Sequence, residues 1–152
     1  MKKFIVFVLL SVFLFSISLF KSEFDFSKFN NVSVQVFLSN KDYKQLNKYS
    51  TINNGQGAII YCDYNDYKNI KSNCSDISGV TFIFDGDKDT LLQLKNSLNV
   101  NVLKSSQNEF TGYTNYFDET IFLENKKVNV QAVLYDNKIY VGFPLLLGSY
   151  QK

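Results

Sequence analysis

The sequence contains no histidine, no arginine and no tryptophan, and it has one proline and two cysteines. Without histidine there is no Ser–His or Cys–His pair, no HExxH zinc site and no imidazole base. Without arginine there is no bidentate clamp for phosphate or guanine. The basic excess that nucleic acid demands is missing as well. Net charge is +2, and Lys2 and Lys3 account for it: the other 14 lysines face 14 acids. Nucleic acid is therefore not an expected partner. C-x-x-C, G-x-S-x-G, the Walker A sequence and G-x-G-x-x-G are all absent. No residue is assigned a catalytic, cofactor-binding or metal-binding role.

What is present is apolar and aromatic. Hydrophobic residues make up 45% of 152, with 15 Phe and 10 Tyr, well above the range of disordered chains. Met1-Lys2-Lys3 is a short positive start. The run from Phe4 to Phe20 is then interrupted only by Ser11, Ser16 and Ser18, and Lys21 closes it. This is the order of parts in a secretory signal, with no A-x-A cleavage site. Its 17 residues also reach the lower limit for spanning a bilayer, so an uncleaved anchor is an equal reading. No cysteine follows directly to carry a lipid. Both readings place the rest outside the cytoplasm. The expected organisation is a signal peptide or anchor at 1–20, a tether at 21–31, and a single α+β domain at 32–152.

Val32–Leu38 alternates as a strand. Asn40–Ser50 fits a short helix through Tyr43, Leu46 and Tyr49, and Thr51–Gly57 (TINNGQG) reads as a loop. Ala58–Cys62 is a buried-type strand. A helix capped by Asp63 or Asn65 follows, with Tyr64, Tyr67, Ile70 and Cys74 on one side. Val80–Phe84 is a strand, Lys88–Leu98 a helix with a Leu91, Leu92, Leu94 and Leu98 stripe, and Val100–Leu103 a strand. After this β-α-β-α-β order come strands at Thr120–Leu123, Val128–Leu134 and Lys138–Val141. Turns fall at Asn125-Lys-Lys and Asp136-Asn137, giving an antiparallel meander. One mostly antiparallel sheet with two or three helices on a single face is the economical packing.

Three features bear on chemistry. Asp85, Asp87 and Asp89 have the opening spacing of a calcium loop, but Thr90 and Asn96 stand where that loop needs glycine and glutamate. Acids capping a helix account for them. Cys62 and Cys74 are either a disulfide, worth about 3 kcal/mol if unstrained, or two free thiols at apolar positions. Tyr113, Tyr116, Tyr135, Tyr140, Phe143 and Tyr150 crowd the last forty residues and are candidates for contact with a partner. The strip Gly142–Gly148 (GFPLLLG) is either an edge of the core or part of that contact.

Phe110-Thr-Gly-Tyr-Thr-Asn-Tyr-Phe-Asp118, Asn129 and Gln131 within Lys127–Leu134, Val141-Gly142-Phe-Pro144 and Tyr150 together resemble the end of YwmB family proteins. The resemblance covers residues 110–150. It implies an exported protein of Gram-positive bacteria with a domain similar to the TATA-box-binding-protein fold, and it implies no particular activity. The expected function is a non-catalytic module that binds another envelope protein, with membrane contact through residues 4–20 if that segment is kept. The alternative, from a different class, is a carboxylate-dependent enzyme acting on an envelope polymer.

Overall fold

The computed structural model describes residues 23–39, 49–53 and 57–146. The apolar segment 4–20, nearly all of the helix expected at 40–50, and Tyr150 lie outside them. In chain order the described elements are β1 (Ser33–Leu38), β2 (Ser50–Asn53), β3 (Ala58–Asp63), α1 (Tyr64–Asn73), β4 (Ile77–Asp85) and α2 (Lys88–Ser97). They continue as β5 (Asn101–Ser105), β6 (Glu109–Tyr113), β7 (Ile121–Leu123), β8 (Lys126–Val128), β9 (Val130–Tyr135) and β10 (Lys138–Phe143). Eight strands form one sheet in the order β2-β3-β1-β4-β10-β9-β6-β5, every pairing antiparallel, while β7 and β8 form a separate hairpin. The class is α+β, with both helices on one face of a large antiparallel sheet.

Alternation along the strands decides which side each residue takes. Val34, Val36, Ile60, Val80, Phe82, Phe84, Val130, Ala132, Ile139, Val141 and Phe143 face the helices and are buried. The two helices begin as their sequences suggest. The Asp63 carboxylate accepts the Asp66 N–H at 2.7 Å, and the Asp87 carboxylate accepts the Thr90 N–H at 2.9 Å. From α1, Tyr64, Tyr67 and Ile70 turn inward, and from α2 Leu91 and Leu94 do, followed by Leu98 just beyond its end. Leu92 does not join that stripe, being 50% exposed. The two-residue turns of the β7–β8 and β9–β10 hairpins, Glu124-Asn125 and Asp136-Asn137, each have both residues at positive φ, which matches the right-handed twist of the flanking strands.

Two readings of the sequence are corrected. Thr51–Asn53 belong to strand β2, an edge strand whose main chain pairs with Ala58–Tyr61. The second correction concerns the supposed tether. Phe24 and Phe26 are buried; Phe26 stacks on Phe82 with ring centroids 4.0 Å apart, and Phe29 stacks on Phe84 at 4.2 Å. Since α1 lies against β1 and β3 and α2 against β9, residues 23–31 cover the strip of β4 and β10 left between them. The segment starts beside Lys71, whose ammonium pairs with Glu23 at 2.6 Å, and ends where Asn30 O accepts the Asp85 N–H. Midway, the Tyr64 hydroxyl donates to Asp25 Oδ1 and accepts the Phe26 N–H, each at 3.1 Å. Lacking either regular period, this stretch shows its apolar side only once the helices have left a groove for it.

The end of β10 explains one glycine. Its Phe143–Pro144 bond is cis, and the chain then returns across Gly142, where a Cβ would lie 2.3 Å from Leu146 N and 2.4 Å from the Leu145 carbonyl carbon. Gly142→Ala is therefore expected to cost about 1–3 kcal/mol, as overpacking against main chain does, measured as the loss in urea-unfolding free energy.

Candidate functional site

One end of the sheet gathers Leu38, Ala58, Ile77, Tyr113 and Phe143, and there the helix face opens into a cleft of about 350 Å³. Its wall on one side is the end of α1 with Tyr67, Lys71 and Cys74. The start of β4 and Phe143-Pro144 form its floor, and Tyr116 to Glu119 form the opposite rim. The rim follows β6 and is held by two buried polar side chains, Asn129 and Thr114. Asn129 Oδ1 accepts the Thr114 N–H at 2.8 Å, and its Nδ2 donates to the Thr114 and Phe117 carbonyls at 2.8 and 2.7 Å. Thr114 in turn donates its hydroxyl to the Leu98 carbonyl at 2.6 Å. The Phe117 ring lies flat on Phe143 with centroids 3.5 Å apart, and Tyr116 meets Phe24 edge-on at 5.3 Å. Rim and floor are thus fixed parts of the core.

The cleft is amphipathic. Ile77, Val80, Phe117, Phe143 and Pro144 supply apolar surface, Tyr67 and Tyr116 supply aromatic bodies with polar tips, and Lys71, Asp118 and Glu119 supply charge. Burial pushes the Tyr67 phenol up from its ordinary value, with the Glu23 carboxylate adding to the rise, so it meets a ligand as a neutral hydroxyl.

The aromatic residues singled out in the sequence do not form one strip. Tyr116 and Phe143 belong to the cleft, and Phe143 is buried in its floor. By strand parity Tyr113, Tyr135 and Tyr140 sit on the sheet's second face, Tyr135 the most exposed at 55%. Tyr113 is at the cleft end of that face and Tyr135 at the far end, where it pairs with Lys138. Tyr150 lies outside the described residues.

Sequence reasoning missed Tyr67, Lys71, Asp118 and Glu119 as members of one site, because only tertiary packing brings α1 beside the loop after β6. The rim gave no signal either: in the alternation VNVQAVL, Asn129 takes the same solvent-side position as Gln131, and its burial comes from the break between β8 and β9.

The two cysteines are free thiols. Cys62 immediately precedes the α1 cap Asp63 and Cys74 is the residue that ends the helix, so ten helical residues stand between them. That is about 15 Å of helix, against the roughly 7 Å between Cα atoms that a disulfide tolerates. Cys62 Sγ donates weakly to the Val34 carbonyl at 3.8 Å, and Cys74 lines the cleft. Intact mass is expected to show two alkyl additions to the unfolded protein without any reductant.

The Cys62 thiol is pushed up from 9.0 to about 12, by burial first and then by the Asp66 and Asp63 carboxylates. The folded protein keeps a proton that the unfolded chain releases. This contribution to stability is present below pH 9 and is lost as pH rises towards 12. Tyr64 and Tyr67, raised by burial, add to the same alkaline loss. Unfolding free energy measured from pH 8 to 11 should fall, and Cys62→Ala should flatten the fall.

Asp85, Asp87 and Asp89 divide between local roles. Asp87 caps α2, Asp85 Oδ2 accepts the Asn31 side-chain N–H, and Asp89 sits in the first turn of α2. Among the described residues no helix is long and apolar enough to cross a membrane. Comparison with family models, with curated proteins and with solved structures finds no match to this chain.

Proposed function

We propose that the protein is a non-catalytic binding module of the bacterial cell envelope, exported by its apolar N-terminal segment, and that its cleft receives a segment of another envelope protein. The observation that carries this reading is the way the cleft is built. Its floor is core side chains, its rim is clamped by Asn129, and charged and phenolic groups surround an apolar centre. A site formed in advance binds without the cost of ordering its own loops, and aromatic side chains at its base suit an apolar anchor from a partner. The further likeness proposed is to the TATA-box-binding-protein fold in the YwmB manner. Its support is a single sheet with both helices on one face, together with the resemblance over residues 110–150.

A photo-reactive residue at Glu119 tests the binding reading against one at Lys138, at the far end of the sheet. In cells of the source organism, Glu119 should cross-link to one discrete envelope protein, and the adduct should diminish when Tyr116 is also replaced by Ala. Adducts of equal yield from both positions, or none from Glu119, would count against the cleft as the binding site.

One observation favours the alternative, a carboxylate-dependent enzyme: Asp118 and Glu119 both line the cleft. Paired carboxylates are the minimum equipment for general acid–base cleavage of a polymer. Turnover of isolated cell-wall polymer by the wild type, abolished by Asp118→Asn with Glu119→Gln, would establish it. Absence of turnover in both proteins returns the site to binding.

A further inference from the structure

The cleft has a charge pattern as well as a shape. Lys71, on the α1 wall, is the one cation among the lining residues, and the Glu23 carboxylate already pairs with it at 2.6 Å. On the opposite rim Asp118 and Glu119 are both exposed, and Glu119 makes no ion pair among the described residues. With Lys71 occupied, the lining holds no cation for Glu119. Titratable groups deeper in the cleft feel the same sign. Burial raises the Tyr67 phenol and the Glu23 carboxylate adds to the rise; burial raises the Cys74 thiol and Asp76 adds to it.

Aromatic surface lies beside these acids. Tyr116 and Phe117 directly precede Asp118 and Glu119 on the rim, and both are half-buried. The face of an aromatic ring attracts an ammonium or guanidinium group. The protein uses that attraction next door, where the Lys28 ammonium lies 4.2 Å from the centroid of Phe24, the ring that Tyr116 meets edge-on. Lys28 itself is not part of the lining. A cleft of about 350 Å³ is near the lower end of the range for ligand sites, so a short stretch of chain fills it. Lysine and arginine suit its two halves together, since their stems lie along apolar surface while their heads stay with charge and water.

We propose that the partner segment enters the cleft with a lysine or arginine. Its stem lies on the Phe143-Pro144 floor, and its charged head meets the rings of Tyr116 and Phe117 and the carboxylates of Asp118 and Glu119. This rests on the reading of the cleft as a binding site and adds the chemistry of what is bound. An acidic segment is refused by the rim, and a purely apolar one leaves Glu119 without a counter-charge.

The test selects binders to the full chain, held in a neutral detergent, from a phage library of random short peptides. Selected peptides should share a lysine or arginine next to an apolar residue. A synthetic copy should bind the wild type about tenfold tighter than it binds the protein with Asp118→Asn and Glu119→Gln. Replacing the peptide's basic residue by methionine should cost as much, and Glu119→Lys should turn the selection towards acidic peptides. Both acids are exposed, so these proteins should keep wild-type thermal unfolding, which is measured first. On the wild type alone, binding should weaken as salt is raised, and binding indifferent to salt overturns the proposal. Peptides that lose binding to Tyr116→Ala yet carry no basic residue also overturn it, while the cleft stands as the binding site. Peptides indifferent to Tyr116→Ala and to both carboxylate substitutions, or no selection at all, count against the cleft itself.

Discussion

Phe26→Ala is expected to destabilise the domain by about 3–5 kcal/mol, the range for removing a large aromatic ring from a core. The ring is 1% exposed, stacks on Phe82 at 4.0 Å, and meets Phe24 and Phe143 edge-on at 4.9 and 6.1 Å. No neighbour can collapse into the space, since Phe82 and Phe143 belong to central strands whose register is fixed on both sides. Phe29→Ala should cost less, because Phe29 is only half-buried. Urea unfolding followed by circular dichroism measures both. A sharper version shortens the chain: a protein beginning at Ser22 should fold, and one beginning at Val32 should not. If residues 23–31 were a mere tether, both would fold with equal stability.

Asn129→Ala is the second substitution with a large expected effect. It deprives the Thr114 N–H and carbonyl of their partner in a buried place, and the Phe117 carbonyl of its partner in a part-buried one. A buried group left unpaired costs about 1–3 kcal/mol, so a loss of about 3–5 kcal/mol is expected where two or three are orphaned together. Asn129→Asp separates shape from hydrogen bonding. It keeps the outline and the acceptor, but it replaces the donating amide with a carboxylate aimed at two carbonyl oxygens, and it should be at least as damaging. The loss should be local as well as global. Hydrogen exchange at residues 114–119 should quicken more than at β1 or β4, since Asn129 holds the cleft rim and not the sheet centre. Uniform acceleration across the sheet would show that Asn129 supports the fold without a special link to the rim.

The strands and helices that came out of the sequence are those with strong periods. Val34 and Val36 alternate with Ser33 and Gln35, and the leucines of α2 recur every three or four residues behind an aspartate cap. Local pattern and tertiary role agree there. They part company at edges and in irregular backbone. Thr51–Asn53 look like loop because asparagine and glycine follow, yet their main chain has only to meet β3 to become a strand. Strand β6 (EFTGY) alternates over too few residues, with Gly112 among them, to stand out. Residues 23–31 carry three phenylalanines without helical or strand spacing, and a short 3₁₀ turn at Phe26–Lys28 is what points them inward. The cleft was hidden for a different reason. Lys71 and Glu119 are 48 positions apart, and nothing in either neighbourhood announces the other. Composition bounds the chemistry of such a site; packing fixes its place.

The covering of β4 and β10 by residues 23–31 also bears on the order in which the protein can be made. Phe26 lies near the start of the chain and Phe143 near its end, and they share the same patch of core with Phe82. Strand β10 is the bridge between the β1–β4 half of the sheet and the β9–β6–β5 half, so the halves join only when the last strand arrives. Contacts of such long sequence separation form slowly, because a large loop must close before any of them is rewarded. A nascent chain lacking β10 can offer its early phenylalanines only Phe82 and Phe84 of β4, without Phe143 on the other side of the patch. The core is therefore expected to close on both sides of Phe26 only after β10 has been made, when synthesis is nearly complete.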